Sequence, residues 1–192
     1  LQRIMNFEQV TAIEADPNFQ GGDYYDGPRP DFGLALARRI AHKTFVSLDA
    51  LRERARNEVV SQKPPFGWYE MRHPVESYML HQGEKFVRRF DANSYLRILD
   101  AWQWFDLVEE SGGQDMHELF GRCRKQEFLV FSIDSDLSFY PSDQARLVQV
   151  LKRAGVPCMW ITVHSEKGHD AFLLEPRLFT PHLTQVLDRF ST

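Results

Sequence analysis

Cysteine is scarce in this chain, and its scarcity excludes several classes of protein. Cys123 and Cys158 are the two cysteines among 192 residues, and they form neither a CxxC pair nor a disulfide framework. No apolar run approaches the length of a transmembrane helix, and Leu1 does not open a signal peptide. We therefore expect a cytoplasmic protein that does not enter a membrane.

An excess of positive charge is missing as well. The 23 basic and 27 acidic side chains give a formal net charge of −4, so the sequence offers no electrostatic footprint for nucleic acid or for an anionic membrane. Hydrophobic residues make up 43% of the chain and charged residues 26%, which is the balance of an ordinary globular domain. We expect neither nucleic acid nor a membrane as a partner.

Residues 1–125 are predicted to be mostly helical. Amphipathic patterns begin near Asp31, Ser47, Pro74 and Asn93, and each start has a residue that suits an N-cap or a first helical turn. The stretch "QGGDYYDGPRPDFG" is rich in Gly, Pro and Asp and predicts a loop.

Residues 126–192 change to alternating strands and helices. "FLVFSI" (128–133) and "PCMWITV" (157–163) are typical of strands buried on both faces. A helix capped by Ser142 lies between them, and another follows with Thr180 as its cap. This order predicts a parallel βαβ unit and a final helix. Two strands do not make a stable sheet, so we expect the C-terminal part of a larger α/β domain; an α+β domain with a small sheet is the alternative.

Both predicted strands end in turns rich in groups that transfer protons. "DSDLSFYP" follows the first strand and "HSEKGHD" follows the second. The carboxyl ends of neighbouring parallel strands meet at one edge of a sheet, so Asp136 and His169 can approach each other. A carboxylate beside an imidazole holds one tautomer and stabilises the imidazolium. The pattern predicts the acid and base of a catalytic triad; ordinary turn residues, with Asp134 and Asp136 capping the loop, are the alternative.

Neither a metal site nor a nucleophile is predicted. A calcium loop over "DSDLSFYPSDQA" fails at Phe139, where Gly is needed, and at Ala145, where the bidentate Glu belongs. "HSEKGH" lacks the spacing of the zinc motif HExxH. No serine stands in a G-x-S-x-G elbow, and neither cysteine has elbow glycines. We expect the nucleophile to precede Asp136 in residues that this chain does not contain, and the chain alone to be inactive.

Several long stretches resemble the homoserine O-acetyltransferase family of α/β-hydrolases. They are "DPNFQGGDYY", "GLALAR", "PVESYMLHQGEKFVRRFDANSYL", "SIDSD" and "GHDAFLLEP". The resemblance implies an α/β-hydrolase fold in which residues 1–125 form the helical lid region and residues 126–192 form the C-terminal βαβα part of the core. The resemblance further implies that the N-terminal strands and the serine elbow of the family lie outside this chain.

The resemblance also implies roles for four side chains. Asp136 is the implied triad acid and His169 the implied base. Arg38 and Asp170 are the implied substrate-binding residues, because a guanidinium suits the carboxylate of homoserine and a carboxylate suits its ammonium group. Without the resemblance, Arg38 would be assigned to an exposed helix face.

The implied activity is acyl transfer from acetyl-CoA, a co-substrate and not a resident cofactor, to the hydroxyl of L-homoserine, in methionine biosynthesis. The resemblance further implies a homodimer formed through the helical lid, with Trp68, Trp102 or Trp104 as candidate anchors. Two alternatives stay open. One is a short-chain acyl-ester hydrolase on the same scaffold, and the other is a catalytically inert fragment that acts as an interaction module.

Overall fold

The structure, a computed structural model, describes residues 2–58, 68–69, 71 and 73–189. Most of the described residues are helical. The α-helices are α1 (Gln2–Glu14), α2 (Asp31–Phe45), α3 (Leu48–Glu58), α4 (Pro74–Val87), α5 (Ala92–Trp104), α6 (Leu107–Ser111), α7 (Met116–Gly121), α8 (Pro141–Arg153), α9 (Ala171–Leu174) and α10 (Thr180–Asp188). The strands are β1 (Phe128–Ile133) and β2 (Cys158–Val163). Short 3-10 turns cover Gln20–Gly22, Gly168–Asp170 and Pro176–Leu178.

The chain divides into two compact units. The first comprises Leu1–Lys43 and Leu48–Trp104, and the second comprises Thr44–Ser47 and Phe105–Thr192. The first unit is helical, and the second contains both strands. The division into domains at residue 125, which rests on sequence patterns, stays a prediction.

The first unit has an apolar core between its helices and the loop before α2. Its buried members are Ile13, Phe19, Tyr24, Leu34, Ala37, Phe86 and Ala92. The hydroxyl of Tyr24 donates to Oδ1 of Asp91 at 2.5 Å and accepts from the N–H of Asn93 at 3.0 Å. Burial and then the bond to Asp91 raise the pKa of Tyr24 to about 12. This phenol therefore fixes the loop against the start of α5.

The start of α4 agrees with the prediction of Pro74 in the first helical turn. His73 is the N-cap, and its Nδ1 accepts from the N–H of Val75 at 3.2 Å. The carboxylate of Glu76 accepts from the N–H of His73 at 3.2 Å. These reciprocal bonds form a capping box, which satisfies N–H groups that the helix itself leaves unpaired.

The start of α5 differs slightly from the prediction of a helix from Asn93. The helix begins at Ala92, and the carboxylate of Asp91 accepts from the N–H of Ser94 at 2.8 Å. Aspartate is as good a cap as asparagine, and here the earlier residue takes that position.

The second unit contains the parallel βαβ arrangement predicted from the sequence. β1 and β2 pair in parallel, in register from Phe128 opposite Cys158 to Ile133 opposite Val163. α8 packs on this pair, and one cluster of buried residues comprises Phe120, Val130, Val148, Leu151, Ala154 and Val156. A second cluster, at the carboxyl ends of the strands, comprises Ile133, Val163, Ala171 and Phe179.

The predicted caps Ser142 and Thr180 are wrong by one or two residues. α8 begins at Pro141 after the N-cap Tyr140, and Ser142 lies inside its first turn. α10 begins at Thr180 itself, and Phe179 is the N-cap. Proline fixes φ at a helical value and lacks the N–H that a first turn leaves unpaired. The helix therefore starts around its proline, and a nearby hydroxyl does not set the boundary.

β2 is less covered than a strand buried on both faces. Trp160 is 42% exposed, and its indole N–H donates across the pair to Oγ of Ser132 at 2.8 Å. Among the described residues the sheet has these two strands alone, so each strand has one edge that no described strand pairs with. In the described ranges, none of the helices has the length and apolar composition needed to cross a membrane.

Candidate active site

The candidate site lies where both strands end. Asp134 continues the ladder, because its N–H donates to the carbonyl oxygen of Val163 at 3.2 Å. The chain then turns, and the N–H of Asp136 donates to the carbonyl oxygen of Ile133 at 3.1 Å. Since the strands are parallel and in register, the turns that follow them lie at the same edge of the pair.

Asp136 is a buried carboxylate with both oxygens occupied. It is 5% exposed. Its Oδ1 accepts from the N–H groups of Ser138 at 2.7 Å and Phe139 at 2.9 Å, which is the local turn that aspartate forms with the backbone ahead of it. Its Oδ2 lies 2.8 Å from Nδ1 of His169. The turn therefore aims one oxygen at the imidazole.

The structure brings His169 to Asp136, as the positions of the two turns predict. The ring lies on the 3-10 turn Gly168–Asp170, and its side chain is 26% exposed. Nδ1 donates to the carboxylate, which leaves the lone pair of the neutral ring on Nε2. Within the described part of the chain, no hydrogen bond reaches Nε2. The ring can thus accept a proton at Nε2 and hold it as a stabilised imidazolium.

The surroundings of His169 raise its pKa above the ordinary value. The hydrogen bond with Asp136 is the largest cause, and burial of the ring acts in the opposite direction. The negative charges of Asp136 and Asp170 add to the increase in the pKa. The net result favours the protonated ring, which is the form that a general base reaches after it accepts a proton.

The pair lines an apolar cleft of about 430 Å³. The ring of Phe139 lies 5.2 Å from that of His169, and the ring of Phe172 lies 5.6 Å from it. Phe131 and Phe179 belong to the same lining. Apolar walls lower the effective dielectric constant around the pair, so the attraction between the carboxylate and the imidazolium is stronger here than in water.

A serine links the two strand-end loops. The hydroxyl of Ser135 donates to the carbonyl oxygen of Ser165 and accepts from the N–H of Gly168 at 3.0 Å. The hydroxyl of Ser165 donates in turn to the carboxylate of Glu175 at 2.6 Å. Sequence patterns did not single out this link, although Ser135 stands between the two strand-end aspartates. The link restrains the loop before His169 relative to the loop that carries Asp136.

A second imidazole–carboxylate pair lies beside the first, at the surface. Nδ1 of His164 lies 2.9 Å from Oδ2 of Asp134, and the two side chains are 83% and 45% exposed. Burial acts to raise the pKa of Asp134, but hydrogen bonds from the N–H of Ser165 and from His164 outweigh it and lower the pKa. Asp134 therefore pairs with His164, and it is the carboxylate of Asp136 that contacts His169.

The remaining predicted site residues are Arg38 and Asp170. Asp170 directly follows His169 at the end of the 3-10 turn and is partly buried. Arg38 lies on α2, with its guanidinium carbon 5.0 Å from the centre of the Phe86 ring. The roles of all four site residues stay predictions. Among the described residues, no cluster of three or more His, Cys, Asp or Glu side chains is arranged to hold a metal ion.

Curated proteins similar to this chain include a homoserine O-acetyltransferase and a homoserine O-succinyltransferase. The chain is 42% identical over 166 residues to homoserine O-acetyltransferase from Caulobacter vibrioides, an alignment that covers 85% of this chain and 43% of the relative. It is also 42% identical over 170 residues to homoserine O-succinyltransferase from Magnetococcus marinus, covering 85% of this chain and 42% of that protein. The chain thus spans about half the length of the curated relatives it matches. No protein-family profile matches it.

Solved structures share the fold. Homoserine O-acetyltransferase from Bacillus anthracis superposes with a TM-score of 0.79 at 20% identity, over 94% of this chain and 47% of that chain. An acetylester hydrolase from Corynebacterium glutamicum superposes with a TM-score of 0.66 at 22% identity, over 89% and 44% of the two chains. The resemblance predicted from the sequence and the α/β-hydrolase fold class are confirmed.

Proposed function

Because the chain is homologous to homoserine O-acetyltransferases over most of its length, we propose that it forms part of an enzyme that transfers an acetyl group from acetyl-CoA to the hydroxyl of L-homoserine. The observation that carries the proposal is the contact of 2.8 Å between the buried carboxylate of Asp136 and Nδ1 of His169. A fixed carboxylate behind an imidazole is the arrangement that activates a hydroxyl group in acyl transfer.

In this proposal each half-reaction uses Nε2 of His169. A serine outside this chain attacks the thioester carbonyl of acetyl-CoA, its proton passes to Nε2, and Nε2 gives the proton to the departing thiolate of coenzyme A. The hydroxyl of homoserine then gives its proton to Nε2 and attacks the acyl-serine, and Nε2 returns the proton to the released serine oxygen. Asp136 stays ionised and stabilises the imidazolium in both halves. No resident cofactor is needed, since acetyl-CoA enters as a co-substrate.

Arg38 and Asp170 are proposed to bind the two charged ends of homoserine. A guanidinium can hold the carboxylate through two parallel hydrogen bonds, and a carboxylate can hold the ammonium group. The position of Asp170 directly after His169 supports its role in binding the ammonium group, because its negative charge is close enough to the His169 ring to raise the pKa of that ring. The stacking of Arg38 on Phe86 supports a guanidinium that is held in a fixed orientation.

A chimera tests the proposal. In it, this chain replaces the matched region of the Caulobacter vibrioides relative, and release of coenzyme A is measured with and without homoserine. Arg38→Ala should lower kcat/KM for homoserine by the equivalent of about 2–5 kcal/mol, because a charge-assisted contact is lost and a carboxylate is left unpaired. Cleavage of a neutral acetate ester should fall far less. Arg88→Ala, at an exposed arginine, is the matched control and should change neither rate.

Short-chain ester hydrolysis is the second candidate, since water can take the place of homoserine at the same histidine. A chimera that cleaves the acetate ester but releases no coenzyme A in response to homoserine would replace the transferase with this esterase. We expect the chain by itself to be inactive in either reaction, because it has no serine elbow.

The homodimer implied by the resemblance is part of the proposal. Trp68 and Trp104 are 91% and 69% exposed, and Trp102 is 45% exposed. Large exposed aromatic side chains are common anchors of protein interfaces, which supports these three as candidates.

A further inference from the structure

The segment that joins α2 to α3 lies in the same unit as the Asp136–His169 pair. This connecting segment, Thr44–Ser47, comprises the last two residues of α2 and the two residues before α3, and it belongs to the unit that contains both strands. Its residues contact both of the loops that carry the pair, one loop near each end of the segment. A simple helix-to-helix connection would not require such contacts.

At its first residue, the connecting segment contacts the loop of Asp136. The hydroxyl of Ser138 donates to Oγ1 of Thr44 at 3.2 Å. Thr44 and Ser138 are 4% and 8% exposed, so water does not compete for this bond. The N–H of Ser138 is also a donor to Oδ1 of Asp136, at 2.7 Å. Ser138 therefore orients the carboxylate with its backbone while its side chain is anchored on Thr44.

At its last residue, the connecting segment contacts the loop of His169. The hydroxyl of Ser47 donates to the carbonyl oxygen of Glu166. Gly168 has a φ of 73°, and a Cβ placed on it would lie 2.8 Å from the backbone nitrogen of Ser47 and 3.1 Å from the carbonyl carbon of Val46. The loop before His169 thus packs backbone against backbone on the segment, at a distance that glycine alone permits.

We propose that the connecting segment positions the catalytic pair: Thr44 acts through Ser138 on Asp136, and Ser47 acts through the loop 166–168 on His169. Thr44 and Ser47 are positioning residues, since neither contacts the imidazole. The length and angle of the bond between the carboxylate and the imidazole decide its strength, and both partners of that bond are held by this one segment. The consequence for turnover rests on the proposed function, whereas the consequence for the His169 ring does not.

The first test measures the His169 ring in the 192-residue chain. Thr44→Val keeps the shape of the side chain and removes the acceptor of the Ser138 hydroxyl. The ring signals of His169 are followed by NMR against pH. We expect its pKa to fall towards the ordinary value, since the contact with Asp136 loosens while the charged groups that act on the ring, Asp136 and Asp170, are unchanged. Thr44→Ser should restore the wild-type titration. Thr184→Val, at an exposed threonine, is the matched control.

A His169 titration that is the same in folded Thr44→Val as in the wild type would overturn the proposal. If Thr44→Val does not fold, Ser47→Ala takes its place with the same readout, and Ser142→Ala at an exposed serine is its control. An unchanged titration in Ser47→Ala is then the overturning result.

The second test uses the chimera and separates this proposal from the proposed function. Thr44→Val should lower kcat on the order of tenfold to a hundredfold, as a small displacement of a catalytic group does, with KM for homoserine and acetyl-CoA unchanged. A chimera with the wild-type sequence that is inactive in both acyl transfer and ester cleavage would refute the proposed function, while a lowered His169 pKa in Thr44→Val would still support the positioning role. An active chimera with an unchanged kcat in Thr44→Val would refute the positioning role alone.

Discussion

The two oxygens of Asp136 have different partners, and two substitutions separate their effects. Oδ1 accepts from the backbone N–H groups of Ser138 and Phe139 at 2.7 and 2.9 Å, and Oδ2 faces Nδ1 of His169 at 2.8 Å. Asp136→Ala removes both oxygens. Asp136→Asn can keep an oxygen for the backbone and presents its NH2 group to the histidine. We therefore expect Asp136→Ala to affect the fold and Asp136→Asn to affect mainly the histidine.

The magnitudes follow from the number of groups left unpaired. Asp136→Ala leaves two N–H groups without an acceptor, one in a buried hydrogen bond from Ser138 and one in a partly buried bond from Phe139. At about 1–3 kcal/mol for each such group, the free energy of unfolding should fall by about 2–6 kcal/mol. Asp136→Asn loses the charge but keeps the backbone acceptor, so its loss should be near 1 kcal/mol. Its NH2 group favours the tautomer with the proton on Nε2, which should lower turnover of the chimera by about four orders of magnitude.

Urea denaturation followed by circular dichroism measures the stability, and release of coenzyme A measures the turnover. Asp134→Ala is the matched control, because Asp134 also follows β1 and also contacts a histidine, but both members of that pair are exposed. It leaves one N–H group, that of Ser165, without its acceptor, and its surface pair with His164 adds little, so its cost should be about 1–3 kcal/mol, below that of Asp136→Ala. The reasoning is refuted if Asp136→Ala is no more destabilising than Asp134→Ala, or if Asp136→Asn turns over at nearly the wild-type rate.

Two further predictions concern stability. Tyr24→Phe removes a buried hydroxyl that donates to Asp91 and accepts from the N–H of Asn93, so it should lower the free energy of unfolding by about 1–3 kcal/mol. The control Tyr25→Phe, at an exposed ring, should lower it clearly less. Equal urea midpoints for the two variants would contradict this prediction. Because the folded pKa of His169 is raised, the charged ring should stabilise the fold fully below about pH 6.5 and lose this contribution as the pH rises through the folded pKa. The difference in unfolding free energy between the wild type and His169→Gln should therefore shrink with rising pH, and a difference that grows would reverse the assigned direction.

The strands and the proximity of the pair were predictable because both depend on local patterns. β1 occupies the residues 128–133 that the apolar run predicts, and β2 starts one residue later than predicted. Two neighbouring parallel strands with one crossover must end at the same edge. Polar residues directly after such strands therefore lie close together, and the proximity of Asp136 and His169 could be predicted from the two strand-end turns.

The short helices α6 and α7 were harder to predict, although an aspartate precedes each of them as an N-cap. The side chain of Asp106 caps α6 and that of Asp115 caps α7, and each aspartate has a Glu three residues later. This is the spacing of a capping box. The helices have five and six residues, so they are too short to show an amphipathic period, and the caps are the better indicator.

Contacts between distant parts of the chain were not predictable at all. Thr44 and Ser138 are 94 residues apart, and Ser47 and Glu166 are 119 apart. Serine and threonine form local turns and caps in most sequences, so nothing in the surrounding residues marks these hydroxyl groups as partners. The fold has to bring them together before either can be recognised.

The Gly-His-Asp turn joins a local signal to such a distant contact, and the order of its three residues has a physical reason. Gly168 takes a left-handed φ and lies against the backbone of Val46 and Ser47, where any Cβ would collide. The next residue, His169, is thereby held at the edge of the strand pair, in contact with Asp136. The third residue, Asp170, adds a negative charge that raises the pKa of the His169 ring. Replacing the glycine would move the base, while replacing the aspartate would leave the base in place and change its electrostatics. Within this turn, Gly168 therefore determines the position of His169, and Asp170 contributes to its pKa.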